Sequence, residues 1–277
     1  MKLHQYNLDH NYFKEFRIDC DKCTGLCCTA LYFSTFDGFP SDKAAGVPCS
    51  NLDSSFRCSI HQKLHAKHMK GCLAYDCCGA GQLVTALYGA ENWKSSPSSG
   101  QEMFDVFVKA YYMQQMLWYL SEVLTLPPAK AHWEEASGYM GQLRHVLNSS
   151  PQGILDFNME KIGAKVNRLL SNSWELSKGT SGPLKGSAKK KDFMGHNFRK
   201  ARLNGTDFSF SLLIAANLEG CGLSGCNFLG ADMRDTNIKN ADLRDSVFLT
   251  QGQLGAAKGN LNTRIPEHLK MPAEWAY

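Results

Sequence analysis

The stretch ANLEGCGLSGCNFLGADMRDTNIKNADLRD, residues 216–245, places a large apolar side chain at every fifth position: Leu218, Leu223, Phe228, Met233, Ile238 and Leu243. An α-helix repeats every 3.6 residues and a half-buried strand every two, so a period of five belongs to neither. It belongs to a chain that turns a corner every five residues. The same phase extends back through Phe193, Phe198, Leu203, Phe208 and Leu213, and forward to Phe248, without a slip. Two residues before each of these stands a small one: Ala201, Thr206, Ser211, Ala216, Cys221, Cys226, Ala231, Thr236, Ala241 and Ser246. Lys191 and His196 depart from this, where the array begins. Large and small residues both point inward, and Asn217, Glu219 and Gly220 represent the positions that face water or form the corner.

ANLEG, ADMRD and ADLRD match the pattern A-[DN]-L-x-x, and the array over residues 192–254 resembles the pentapeptide-repeat family. The resemblance implies a right-handed quadrilateral β-helix with four pentapeptides per coil, hence about three coils. At ~4.8 Å per coil such a solenoid is ~14 Å long. Repeat arrays need covered ends. LTQGQLGAAKGN and TRIPEHLKMPAEW resemble the closing segment of such proteins, and residues 255–277 read as a C-terminal cap. Cys221 and Cys226 fall on consecutive small inward positions and read as buried structural thiols.

Upstream, residues 178–191 (KGTSGPLKGSAKKK) form a Gly/Ser/Lys linker with five lysines and no acid. Residues 101–177 read as a three-helix region. Val106, Ala110, Met113, Leu117, Leu120 and Leu124 mark the first helix, stopped by Pro127–Pro128. Trp133, Ala136, Met140, Leu143 and Leu147 mark the second. The third starts at Ser150–Pro151, an N-cap followed by a first-turn proline, and runs through Leu155, Met159, Ile162, Val166 and Leu169. Residues 1–98 are irregular and cysteine-rich. The fold class is therefore multidomain α+β: a cysteine-rich module, a helical middle, a solenoid and its cap.

Nine of the eleven cysteines lie between Cys20 and Cys78. A C-x-x-C pair puts two thiolates on one turn, where both reach one metal ion, and zinc or an iron–sulfur cluster takes four such ligands. Disulfides suit this density less in a reducing compartment. Unligated structural thiols, or a catalytic thiol activated by His61 or His65, would also place cysteines here. His61 is in addition a candidate extra ligand. CDKCTGLCC followed by spaced cysteines, GC and YDC resembles the YkgJ-type zinc- or iron-chelating domain over residues ~17–80. That resemblance carries Cys20, Cys23, Cys27, Cys28, Cys58, Cys72 and Cys77 over as metal ligands. Cys49, in its PC element, joins them, whereas Cys78 lies outside the pattern. The choice between Zn2+ and an iron–sulfur cluster stays open. Gly79 and Gly81 read as the exit from the metal knuckle.

No Ser-His-Asp arrangement, P-loop or dinucleotide fingerprint occurs, so no catalytic residue is assigned. The first functional expectation is a non-enzymatic metal-binding scaffold whose solenoid contacts a protein partner. The second is an iron–sulfur-dependent redox or modifying enzyme. A gyrase-binding DNA mimic, a role some pentapeptide-repeat proteins have, is disfavoured: residues 192–254 carry seven acids and six bases, too balanced to imitate phosphate charge. The net charge of +4 argues against a nucleic-acid partner. No apolar run is long enough to span a membrane, and the first residues lack a signal-peptide core, so a cytoplasmic protein is expected. Pairing of two copies through the solenoid end or the helices stays open.

Overall fold

The computed structural model of the protein describes residue 3 and residues 10–178, 191–199 and 201–276. The expected linker lies outside the described residues, apart from its ends Lys178 and Lys191.

From residue 192 the chain coils with a return of twenty residues. Parallel bridges join Asp192 to Leu212 and Leu212 to Asp232, and Asn197 to Asn217 and Asn217 to Asn237. On the other two faces Asp207 pairs with Asn227 and Asn227 with Val247, while Gly222 pairs with Asp242. Twenty residues are four pentapeptides, so the expected four-fold winding is present. The contacts are isolated bridges, and no extended strand forms among the described residues. All twelve phased apolar side chains are buried, and those twenty residues apart stack: the Phe208 and Phe228 rings lie 5.5 Å apart and nearly parallel.

The polar positions explain how a coil of such short faces holds together. Where an Asp or Asn precedes the large residue, it accepts a hydrogen bond from the backbone N–H two residues on, as in Asn217 to Glu219 and Asp242 to Arg244. This Asx turn starts those corners, while Arg202, Leu212, Gly222 and Val247 stand at the same place in the others. The fifth residue completes it in the left-handed region: Gly205, Gly220, Gly225 and Gly230, but also Phe210, Ala215, Asp235 and Asn240. Apart from Thr206, inward hydroxyls and thiols bond carbonyls, within their own coil (Ser211 to Phe208) or one coil back (Thr236 to Leu213, Cys226 to Leu203). Cys221 and Cys226 are thus buried coil-to-coil donors, as their positions suggest. The capping segment continues the ladders, Lys258 pairing with Asn237 and Arg264 with Asp242.

The helices are α1 (Leu26–Ala30), α2 (Lys70–Ala74), α3 (Ala80–Tyr88), α4 (Pro97–Val123), α5 (Trp133–Leu147), α6 (Pro151–Asp156), α7 (Met159–Ser177) and α8 (Gln251–Ala256). The expected third helix of the middle region is two. Phe157 is extended, and the Asn158 side chain accepts from Lys161 N–H and starts α7 afresh. Helix α4 is the axis of the molecule. It touches α1, α3, α5, α6 and α7, and Met103, Val106, Phe107, Ala110, Met113 and Leu120 along it are fully buried. A helix apolar most of the way round belongs inside.

Helices α4 and α7 also lie against the solenoid. Trp118 donates its indole N–H to the Leu249 carbonyl, and Trp174 donates to that of Gly225. The Glu122 carboxylate accepts from Phe248 N–H at 3.0 Å. One continuous apolar core runs from Phe16 through α4 and the solenoid to Trp275. Helix α8 approaches α2 so closely that a Cβ at Gly252 or Gly255 would strike the carbonyls of Ala74 or Leu73. No helix among the described residues is long and apolar enough to cross a membrane.

Candidate metal centre

The early cysteines sit on short elements held by polar contacts and, through Leu26, Ala30, Cys77 and Cys78, by the edge of the main apolar core. Cys20 opens a single 3-10 turn, capped by Asp19, and Cys23 N–H closes on the Cys20 carbonyl. Gly25 then takes a left-handed conformation, where a Cβ would press on Leu52, and launches α1 with Cys27 and Cys28. Cys49 is pinned by its N–H to the Cys28 carbonyl, and Cys58 pairs with Leu52 across an antiparallel bridge. Cys72 lies on α2. Cys77 and Cys78 lead into α3 through Gly79.

Two basic residues organise this chain path. Arg57 donates to the carbonyls of Cys20, Asp21 and Cys23 and ion-pairs with Asp21, gripping the first knuckle. Lys43 donates to the carbonyls of Thr29, Leu31, Ala44 and Val47. Neither stands out in the sequence. The one signal for Arg57 is its place beside Cys58; Lys43 carries none.

All eleven cysteines are free thiols, so no disulfide accounts for the cluster. The eight expected ligands fall into two neighbourhoods. Burial pushes the Cys20 thiol up to about 11, and the thiols of Cys23, Cys77 and Cys28 add to the rise. Cys27 is raised well above its usual range by its hydrogen bond to Cys28, by burial, and by the charges of Cys28, Cys77 and Cys23. A Cβ at Gly81 would lie 2.8 Å from Cys23 Sγ and 3.8 Å from Cys77 Sγ, so both sulfurs crowd one point on α3. Cys20, Cys23, Cys27 and Cys77 form this first group. Burial raises Cys72 to about 12, and its charged neighbours are Cys28, Cys49 and Cys58. Cys58 is raised by burial and feels Cys28 and Cys49. Those four form the second group. The groups meet where Cys27 Sγ and Cys28 Sγ stand 3.8 Å apart. Cys28 is lowered by the Cys27 thiol and by the Lys43 charge.

Among the described residues, no three His, Cys, Asp or Glu side chains are drawn together as a closed metal site. The donor chemistry, thiols with backbone N–H groups aimed at sulfur, is of the kind that suits a soft metal. Asn51 N–H approaches Cys49 Sγ, and the N–H groups of Gly79 and Gly81 lower Cys77 against the rise from burial. His61 and His65 are exposed. Cys78 is buried in neither group and faces Asp76 and α4.

Comparison with known proteins agrees with the solenoid. The family model described as Pentapeptide repeats matches residues 192–228 and 211–248, in eight copies. Across its length the chain is similar to "Uncharacterized protein YybG" of Bacillus subtilis (strain 168), with 36% identity over 275 residues, covering 98% of this chain and 99% of the relative. The chain therefore belongs to the same family as YybG, and it carries pentapeptide repeats in its C-terminal region.

Proposed function

We propose that the chain is a non-enzymatic scaffold in which two four-thiolate metal sites staple residues ~17–80 to a pentapeptide-repeat solenoid that receives a protein partner. What supports this is the crowding of eight cysteine thiols around the Cys27–Cys28 step, where two sulfurs stand 3.8 Å apart, enough thiols for two sites of the four ligands that structural zinc and iron–sulfur clusters both take. One site would use Cys20, Cys23, Cys27 and Cys77. The other would use Cys28, Cys49, Cys58 and Cys72. Metal would add folding free energy to a segment built of short, irregular elements. The polar solenoid faces, with Asn217 and Asn237 laddered side by side, are the surface for a partner.

Metal analysis of full-length protein purified without oxygen tests the reading. We expect two metal ions or two clusters per chain. Changing Cys20 and Cys23 together to serine lowers the content and opens residues ~17–80 to protease, while Cys221→Ser leaves it unchanged. Protein that carries neither zinc nor iron, with a double variant as protease-resistant as the parent, overturns it. A brown, air-sensitive preparation moves the reading to the iron–sulfur-dependent enzyme.

A further inference from the structure

Where the cysteine module, α4, the solenoid and α8 converge, the chain lines a cavity of about 270 Å³. It lies outside both thiol groups, and only Cys78, the cysteine beyond the metal pattern, reaches it. Its walls are aromatic on one side. Tyr75 and Tyr111 set their rings 5.5 Å apart, and Tyr119 lines the same space from the next turns of α4.

The carboxylates on the wall are Asp76 and Asp232. Asp76 lines the cavity, its carboxylate held by Cys78 N–H at 2.7 Å, with no cationic partner among the described residues. The one cation on the wall, Arg234, is committed to Asp232 at 2.7 Å and Asp37 at 3.6 Å. The Tyr75 hydroxyl is shut off from solvent and has no hydrogen-bond partner. Gln115 donates to the Tyr111 hydroxyl and so orients that ring. A partly buried carboxylate without a counter-ion, beside tyrosine faces, is costly when empty and suited to a cation. The volume is below the ~300–1,000 Å³ of drug-sized sites, so the occupant is about the size of one amino-acid side chain.

We propose that this cavity binds an alkylammonium group, its charge set against Asp76 and its stem against Tyr75, Tyr111 and Tyr119. The ammonium belongs either to a free small amine or to a lysine side chain of a polypeptide. The assignment does not depend on the thiol sites being metal-filled.

Isothermal titration of the full-length protein as isolated tests it, with n-butylammonium, Nα-acetyl-lysine amide, neutral n-butanol and butyrate as probes. We expect saturable one-to-one binding of the ammonium probes, at least tenfold tighter than n-butanol, and none of butyrate. Tyr111→Leu and Asp76→Asn each weaken it at least tenfold, and Tyr75→Phe weakens it less. If Asp76→Asn lowers the melting temperature, Tyr111→Leu on α4 carries the test alone. Tighter binding of the lysine amide assigns the site to a polypeptide, and tighter binding of butylammonium to a free amine. No saturable binding of either ammonium, equal binding of n-butanol, or full affinity in a folded Tyr111→Leu variant overturns the proposal.

Discussion

Single residues in the solenoid divide by where they point. Leu218 is fully buried in its stack, so Leu218→Ala should cost ~2–5 kcal/mol of unfolding free energy. Its neighbour Glu219 meets Arg199 across 3.4 Å on the surface, and Glu219→Ala should stay within ~0.5 kcal/mol. Denaturant melts of the two variants check this, and equal losses would contradict the inward assignment. Corner glycines divide as well. Gly220 and Gly225 share a left-handed φ, but only at Gly225 would a Cβ meet backbone, the Lys178 carbonyl at 2.8 Å. Gly220→Ala should therefore cost ~1–2 kcal/mol, the ordinary left-handed penalty. Gly225→Ala should cost ~1–3 kcal/mol more, because α7 must also shift. These inward and corner positions were legible in the sequence because one local period dictates them. The difference between the two glycines was not, because it depends on a helix end some fifty residues earlier.

At the scale of an element, α4 carries an acid where its apolar stripe meets the solenoid. Burial raises the Glu122 carboxyl to about 8, against the pull of Phe248 N–H. The folded state therefore holds a proton that the unfolded chain releases near 4.5. Stability from this site is fully present below the unfolded value and is lost as pH rises through the folded one. Between pH 5 and 9 the parent should lose stability relative to Glu122→Gln, which keeps an acceptor for Phe248 and cannot ionise. The gap should reach a few kcal/mol, each pKa unit being about 1.4 kcal/mol. Parallel melting curves across that range would refute it. The first two middle helices were readable from their apolar spacing. The break at Phe157–Asn158 was not, since the stripe continues across it and only the Asn158 cap marks it. Cysteine spacing likewise marked the eight thiols without showing how they are arranged, because Cys27 and Cys28 are adjacent in sequence and their sulfurs stand 3.8 Å apart where the neighbourhoods meet.

At the scale of the molecule, the parts share surfaces that sequence texture separates. The solenoid's core alone suggests that residues 186–277 fold by themselves, but Trp118, Glu122 and Trp174 all bond its backbone from outside. That fragment should melt at a lower temperature than the solenoid does in the full chain, by calorimetry, and an unchanged transition would show that the helices add nothing. On the other flank Lys70 and Lys258 share Asp235, bringing α2 and the capping segment to one corner of the solenoid. The twenty-residue return of the coil gives the array a rotational phase. Five added residues would swing everything downstream by a quarter turn, carrying Asp235 and Phe248 away from the lysines and from Glu122. Twenty added residues would restore every face but move it one rung along the rod. Held from the side by the helices at Gly225, Phe248 and Leu249 and closed by the cap on its last coil, this solenoid cannot change length by small steps, so its size is set by its neighbours as much as by its own repeat.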